Sequence, residues 1–311
     1  KILLMKIAYI GHIFFCKKIG RKIEERGHLV AYLDYNNWGR RLFPSLIDIW
    51  EMDIIHFICA IGCRKYLYIL IIRYLLRKKI FVHFVGSDII RLNRVNIFDR
   101  LNWIGALKTA HRVFVGAPWH VQELQKFLSV ESFILFFNDY EKPKETLALP
   151  DEFTVLTYLP KGKPEFYGES LIRELIEKYP KTKFIILGSD KYSHYSNVII
   201  KRIDYTIDMN EIYSQSSLLI RLTKHDGFSS MVLEALSYGR NIIWTYDIPN
   251  VKHIKLDRDN LFDIFDEVKK DGYNLQGKTW VKKNFNFNFF ISNLEALYEN
   301  PKMKIDVVNY Q

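Results

Sequence analysis

The stretch Arg221-Leu-Thr-Lys-His-Asp-Gly-Phe-Ser-Ser-Met-Val-Leu-Glu-Ala-Leu-Ser-Tyr-Gly-Arg240, followed by Asn241-Ile-Ile-Trp-Thr245, reads as strand, turn, helix and strand. The apolar run that closes at Arg221 is the first strand, and the polar turn carries Asp226 and Gly227. A helix opens near Ser229 or Ser230. Free backbone N–H groups at such a helix start can hold a phosphate, helped by the helix dipole. Ser229 and Ser230 add hydroxyl donors. Asp226 lies in the turn just before the helix. Glu234 lies about one turn inside it, where a carboxylate can accept two hydrogen bonds from a vicinal diol such as a ribose.

Working outward, short apolar strands alternate with helical stretches in both halves of the chain. Expected strands are Lys6–Ile10, Leu29–Asp34, Ile54–Phe57, Ile80–Val85, Arg112–Val115 and Phe133–Phe136 in the first half. The second half offers Thr154–Tyr158, Lys183–Leu187, Val198–Lys201, Leu218–Arg221, Asn241–Trp244 and Leu261–Ile264. Residues Tyr140–Glu152, rich in Pro, Glu, Lys and Thr, make the boundary. The pattern is α/β: two doubly wound, Rossmann-like domains facing a central cleft. The first covers 1–145 and the second 146–285. The segment 286–311 is helical and is expected to pack back on the first domain.

The 311 residues are 49% hydrophobic and 26% charged, which is globular composition. Charge is uneven. Residues 1–145 hold 23 Lys and Arg against 13 Asp and Glu, whereas the remainder balances at 22 of each. The whole net charge of +10 therefore sits in the first domain and points to an anionic partner there. No recognisable nucleic-acid motif accompanies it. Cys16, Cys59 and Cys63 give no disulfide framework, so a reducing, cytoplasmic setting is expected. Leu3–Ile10 reads as a first strand rather than a signal peptide, and no apolar run reaches the roughly 18 residues of a membrane span. The longest, Tyr66–Leu76, is broken by Arg73 and flanked by Arg64, Lys65, Arg77, Lys78 and Lys79. It reads either as the crossover helix between two parallel strands or as a helix resting on an anionic membrane surface.

Taken together, Asp226 and Glu234 with seven residues between them, the Gly-Phe after the first acid, the Glu-Ala-Leu, Gly239 and the following strand resemble the acidic–seven–acidic motif. That motif belongs to retaining glycosyltransferases of family four, within the GT-B class. The family's first acid is usually Glu; here Asp226 is one methylene shorter. The resemblance implies that Asp226 binds donor-sugar hydroxyls and Glu234 the nucleotide ribose. Gly227, Phe228, Ser229 and Ser230 then belong to the donor pocket. Lys161 and Lys163, in the loop after the first strand of the second domain, and Arg221 are candidates for the diphosphate. Tyr205 is a candidate to stack on the base.

In the first domain, His83-Phe-Val-Gly-Ser-Asp88 resembles the family's His-Gly-Ser-Asp loop, with the histidine displaced by two residues. His83 reads either as a contact to the donor sugar or as a core histidine. Gly86, Ser87 and Asp88 are expected to line the acceptor side of the cleft, together with Gly11 and His12 at the end of the first strand.

The resemblance implies transfer of a sugar from a nucleotide-diphosphate donor, with retention at the anomeric carbon. It implies no cofactor beyond that donor and no metal. The basic first domain favours a lipid-linked or anionic acceptor and a peripheral position at the membrane. A sugar-nucleotide epimerase of GT-B fold and a non-catalytic polyanion- or membrane-binding protein remain alternatives.

Overall fold

The computed structural model describes residues 4–34, 46–58, 66–134, 136, 140, 148–202, 208–256 and 260–304. Packing divides them into two units, one formed by residues up to 136 with 287–304, the other by residues 140–286. Tyr205 lies outside the described residues, as do Cys59, Cys63, Arg64 and Lys65.

The first unit is a parallel sheet of six strands: β1 (Lys6–Gly11), β2 (Leu29–Asp34), β3 (Ile54–Ile58), β4 (Lys79–Phe84), β5 (Arg112–Val115) and β6 (Glu131–Ser132). Their order is β2-β1-β3-β4-β5-β6. β3 is buried along its whole length, as expected of an apolar strand covered on both faces. The crossovers include α1 (Ile13–Glu24), α2 (Tyr66–Leu70), α3 (Ser87–Arg94), α4 (Ile97–Leu107) and α5 (Trp119–Leu124). α4 starts at Asn96, whose side chain accepts from the Asp99 amide at 2.9 Å. α2 runs on as a π-helical turn, Ile71–Leu75.

The second unit repeats the plan with β7 (Thr154–Leu159), β8 (Lys183–Gly188), β9 (Val198–Lys201), β10 (Leu218–Arg221), β11 (Asn241–Trp244) and β12 (Lys252–His253). Their order, β12-β11-β10-β7-β8-β9, places the reversal of winding between β7 and β10. Its helices are α6 (Glu169–Lys178), α7 (Met209–Ser214), α8 (Ser230–Ser237), α9 (Leu261–Val268) and α10 (Leu275–Asn284). α6 is amphipathic: Leu171, Ile172, Leu175 and Ile176 form its buried stripe. Each fully buried side chain of this size contributes about 1.5–3 kcal/mol.

The last helix, α11 (Phe287–Glu299), packs in the first unit. Phe290, Ile291, Leu294 and Leu297 are buried. Arg26 and His28 pair with Glu295, and the Tyr298 hydroxyl meets His56 Nδ1 at 2.6 Å. Lys79 donates to the carbonyls of Tyr298 and Glu299 at 2.8 and 3.1 Å, a cation set on the negative end of the helix.

Two expected strands differ. Leu261–Ile264 belongs to α9, whose buried Leu261, Phe265 and Val268 recur at helical spacing. The last ladder of the first sheet forms at Glu131–Ser132, against Phe114 and Val115, rather than at Phe133–Phe136. Phe133 and Phe136 pack their rings on Phe290 of α11 instead.

Candidate active site

Open parallel sheets take ligands beyond their strand C-termini, where the winding reverses. In the second unit that point is the end of β7 and β10. Two segments occupy it: the loop 160–168 after β7 and the turn 222–229 after β10. They are held against each other. Gly168, at φ 73°, backs onto Leu222 so closely that an added Cβ would stand 2.5 Å from the Leu222 Cβ. The Lys224 amide donates to the Phe166 carbonyl at 3.0 Å.

The acidic turn is built around Asp226. Arg221 donates from Nε to its Oδ2 at 2.5 Å and from Nη2 to its Oδ1 at 3.0 Å, a bidentate pair. Both side chains are mostly buried, at 11% and 14% exposure. Burial alone would lower the Arg221 pKa, but the Asp226 carboxylate outweighs it and raises the value further, so the charge is fixed. The guanidinium stands 5.7 Å from the Tyr167 ring centroid, a cation–π distance. On its other side, the Asp226 amide donates to the Tyr246 hydroxyl at 2.9 Å. The Thr245 hydroxyl donates to the Thr223 carbonyl at 2.9 Å, tying the turn to the end of β11.

α8 begins immediately after. Ser229 is its N-cap, with extended backbone and no side-chain capping bond. Its ladder starts with Val232 and Leu233 donating to the Ser229 carbonyl, so the amides of Ser230 and Met231 precede it. One turn on, Glu234 Oε2 accepts from the Tyr213 hydroxyl at 2.8 Å. Burial, and then the nearby Glu234 carboxylate, hold the Tyr213 phenol well above its usual pKa, so it remains a donor. One local arrangement thus collects Arg221, Gly227, Ser229, Ser230 and the two acids.

Other expected contacts fall elsewhere. Phe228 turns inward onto Trp244 and Phe285, with ring centroids 6.0 and 5.4 Å away, so its side chain belongs to the core. Arg221 is engaged by Asp226 rather than presented alone to a diphosphate. Lys161 makes a solvated ion pair with Asp190 at 2.7 Å, and Lys163 is exposed at the start of the short 3-10 turn Pro164–Tyr167. Both remain at the C-terminal edge of the sheet.

In the first unit, the expected residues His83, Asp88 and Gly11 are buried. His83 is 1% exposed, its ring among His56, Phe114 and Phe133. Burial lowers its pKa to about 3. It is a neutral core side chain, not one offered to a sugar. Asp88 is buried and turned back on its own loop, accepting from the amides of Val85, Gly86 and Ile89. Desolvation raises its pKa despite those bonds. It shapes the loop. Gly11 is buried against β3, where an added Cβ would stand 2.0 Å from the Ile58 carbonyl oxygen. Ser87 and His12 are exposed at the strand C-termini, and Gly86 takes φ 150° to make the turn.

Sequence reading missed Tyr213, Tyr246, Thr223 and Tyr167. Its place two residues past the end of β10 was the available signal for Thr223. Nothing local marks Tyr213, which lies on a different helix from the acid it touches.

No protein-family model matches the chain, and no curated protein matches it in sequence. Solved structures do. Sucrose-phosphate synthase from Thermosynechococcus elongatus aligns with 13% identity over 95% of this chain and 98% of its own, with a TM-score of 0.68. A UDP-forming α,α-trehalose-phosphate synthase from Burkholderia xenovorans aligns with 8% identity over 97% and 100%, again at 0.68. The catalytic domain of starch synthase IV from Arabidopsis thaliana, solved with ADP and acarbose, aligns with 12% identity over 96% and 99%, at 0.63. The chain therefore has the two-unit α/β fold of GT-B type that these enzymes share.

Proposed function

We propose that the chain is a glycosyltransferase that moves a sugar from a nucleotide-diphosphate donor to a lipid-linked or anionic acceptor, with retention at the anomeric carbon. The observation that carries this reading is the joint placement of Asp226, the α8 start and Glu234 at the winding reversal of the second sheet. The fold shared with a UDP-forming synthase and with a synthase solved with ADP supports the donor class.

In this reading Glu234, oriented by Tyr213, accepts from the ribose hydroxyls. The amides at the α8 start, with the Ser229 and Ser230 hydroxyls and Lys161 or Lys163, meet the charge that develops on the departing diphosphate. That is electrostatic stabilisation by preorganised donors, and it calls for no resident metal. Asp226 accepts from donor-sugar hydroxyls. Arg221 acts through Asp226, fixing its two oxygens, and is a positioning residue.

The test is release of nucleotide from UDP-, GDP-, ADP- and TDP-sugars, measured with and without membrane-lipid extracts as acceptor. Acceptor-stimulated release with one donor is expected. Interconversion of the donor sugar without any acceptor would mean an epimerase instead, and no turnover of any donor would refute the transferase reading.

A further inference from the structure

The first unit carries a helical layer whose outer surface is apolar. α2 with its π-helical continuation, and α4, are neighbouring crossovers that lead into adjacent parallel strands, β4 and β5. The Arg73 Nε donates to the Thr109 carbonyl just past α4 at 3.1 Å, so the two run side by side. Their inner sides form core: Tyr68, Ile69 and Ile72 from one, Trp103, Ile104 and Leu107 from the other. A surface helix ordinarily turns charge outward. These turn out Leu67 at 51% exposure, Tyr74 at 66%, Phe98 at 77% and Leu101 at 59%.

Basic residues border this layer. α3, the preceding helix, exposes Arg91 and Arg94 and buries Ile89 and Leu92. Arg77 and Lys108, at the ends of the two apolar helices, are also exposed. The excess of 23 basic over 13 acidic residues in 1–145 gives the same sign to the whole half. Apolar side chains exposed together on two neighbouring helices mark an interaction site.

We infer that this layer docks on an anionic lipid bilayer, with Leu67, Tyr74, Phe98 and Leu101 entering the headgroup–acyl boundary while the flanking arginines meet lipid phosphates. Charge decides between a bilayer and a second copy. A symmetric dimer through this face would set the basic rim against itself, whereas an anionic surface neutralises it. Leu67 and Phe98 lie towards the starts of helices whose other ends lead into β4 and β5, and so stand towards the C-terminal edge of the sheet, the same edge as His12 and Ser87. Docking there would deliver a lipid-borne group to that edge. The inference rests on the helical layer alone and holds whether or not the chain transfers sugar.

The experiment is co-sedimentation with phosphatidylcholine vesicles, with and without phosphatidylglycerol, alongside size-exclusion light scattering. The full chain is expected to sediment with the anionic vesicles and not with the neutral ones. Phe98→Ser combined with Leu101→Ser should weaken that partition by about tenfold or more, because two buried apolar side chains are lost. Arg91→Ser with Arg94→Ser should weaken it and reduce its sensitivity to salt. All four positions are exposed, so unchanged thermal unfolding confirms folding. Absence of sedimentation with anionic vesicles, sedimentation unaffected by Phe98→Ser/Leu101→Ser, or a dimer that this double variant dissolves would each overturn the inference.

Discussion

Arg221 grips Asp226 through two parallel hydrogen bonds, Nε to Oδ2 and Nη2 to Oδ1, across the turn that joins β10 to α8. A carboxylate held at both oxygens by one guanidinium is fixed in direction. The pair is nearly out of solvent, so losing one partner strands the other. Asp226→Ala should destabilise the fold by about 2–3 kcal/mol, somewhat less than for a fully buried pair, in urea unfolding. Arg221→Lys should recover much of that stability but little activity, since an ammonium cannot reproduce the fork. Equal loss of stability in Arg221→Lys and Arg221→Ala would show that the bidentate geometry is unimportant.

Tyr213 orients Glu234 from a helix remote in sequence. Tyr213→Phe keeps the ring and removes only the donor. It should raise the KM for the nucleotide sugar by about five- to thirtyfold, corresponding to about 1–2 kcal/mol, with kcat changed little. A fall in kcat at constant KM would place Tyr213 elsewhere in the mechanism.

Much of the fold was legible in the sequence because parallel strands are buried on both faces and read as apolar runs, as in Ile54–Ile58 and Phe184–Leu187. Where the periods of strand and helix coincide, the reading failed. Leu261-Phe-Asp-Ile264 is a short, mostly apolar run of strand length, and only Phe265 and Val268 beyond it reveal the helix. The aromatic run at Phe133–Phe136 carries strand propensity, but its rings are used against α11, a partner from the far end of the chain. At the site, the turn and helix start were legible because they are local. The Arg221–Asp226 pair was open to inference from opposite charges at the two ends of one tight turn. The Tyr213–Glu234 contact depends on tertiary packing and leaves no local trace. For His83, neighbouring rings from β3 and β5 decide its burial, which its own strand does not disclose.

Gly168 should resist substitution. It combines a left-handed backbone with close approach to Leu222. Gly168→Ala is expected to cost about 1–3 kcal/mol in chemical unfolding and to weaken donor binding by moving the Lys161–Lys163 loop. Wild-type stability in this variant would show that the loop tolerates a shifted path.

The buried histidines give stability a pH dependence. His83 titrates near pH 3 when folded, whereas an unfolded histidine does so near 6.5. Between those values the unfolded chain binds the extra proton, so stability falls as pH drops from about 6.5 towards 3 and is flat above. His56, lowered by burial and by His83, adds to the same trend. Melting temperature should therefore fall more steeply between pH 7 and pH 5 in the wild type than in His83→Phe, which keeps the aromatic packing. Parallel curves would mean that His83 contributes nothing.

Nucleotide binding at α8 is the central claim, and calorimetric titration of UDP, GDP, ADP and TDP into the wild type and Glu234→Ala tests it most directly. At least one nucleotide should bind the wild type, and Glu234→Ala should lose that binding while Phe98→Ser/Leu101→Ser keeps it. Undiminished affinity in Glu234→Ala, or no binding of any of the four to the wild type, would contradict the account.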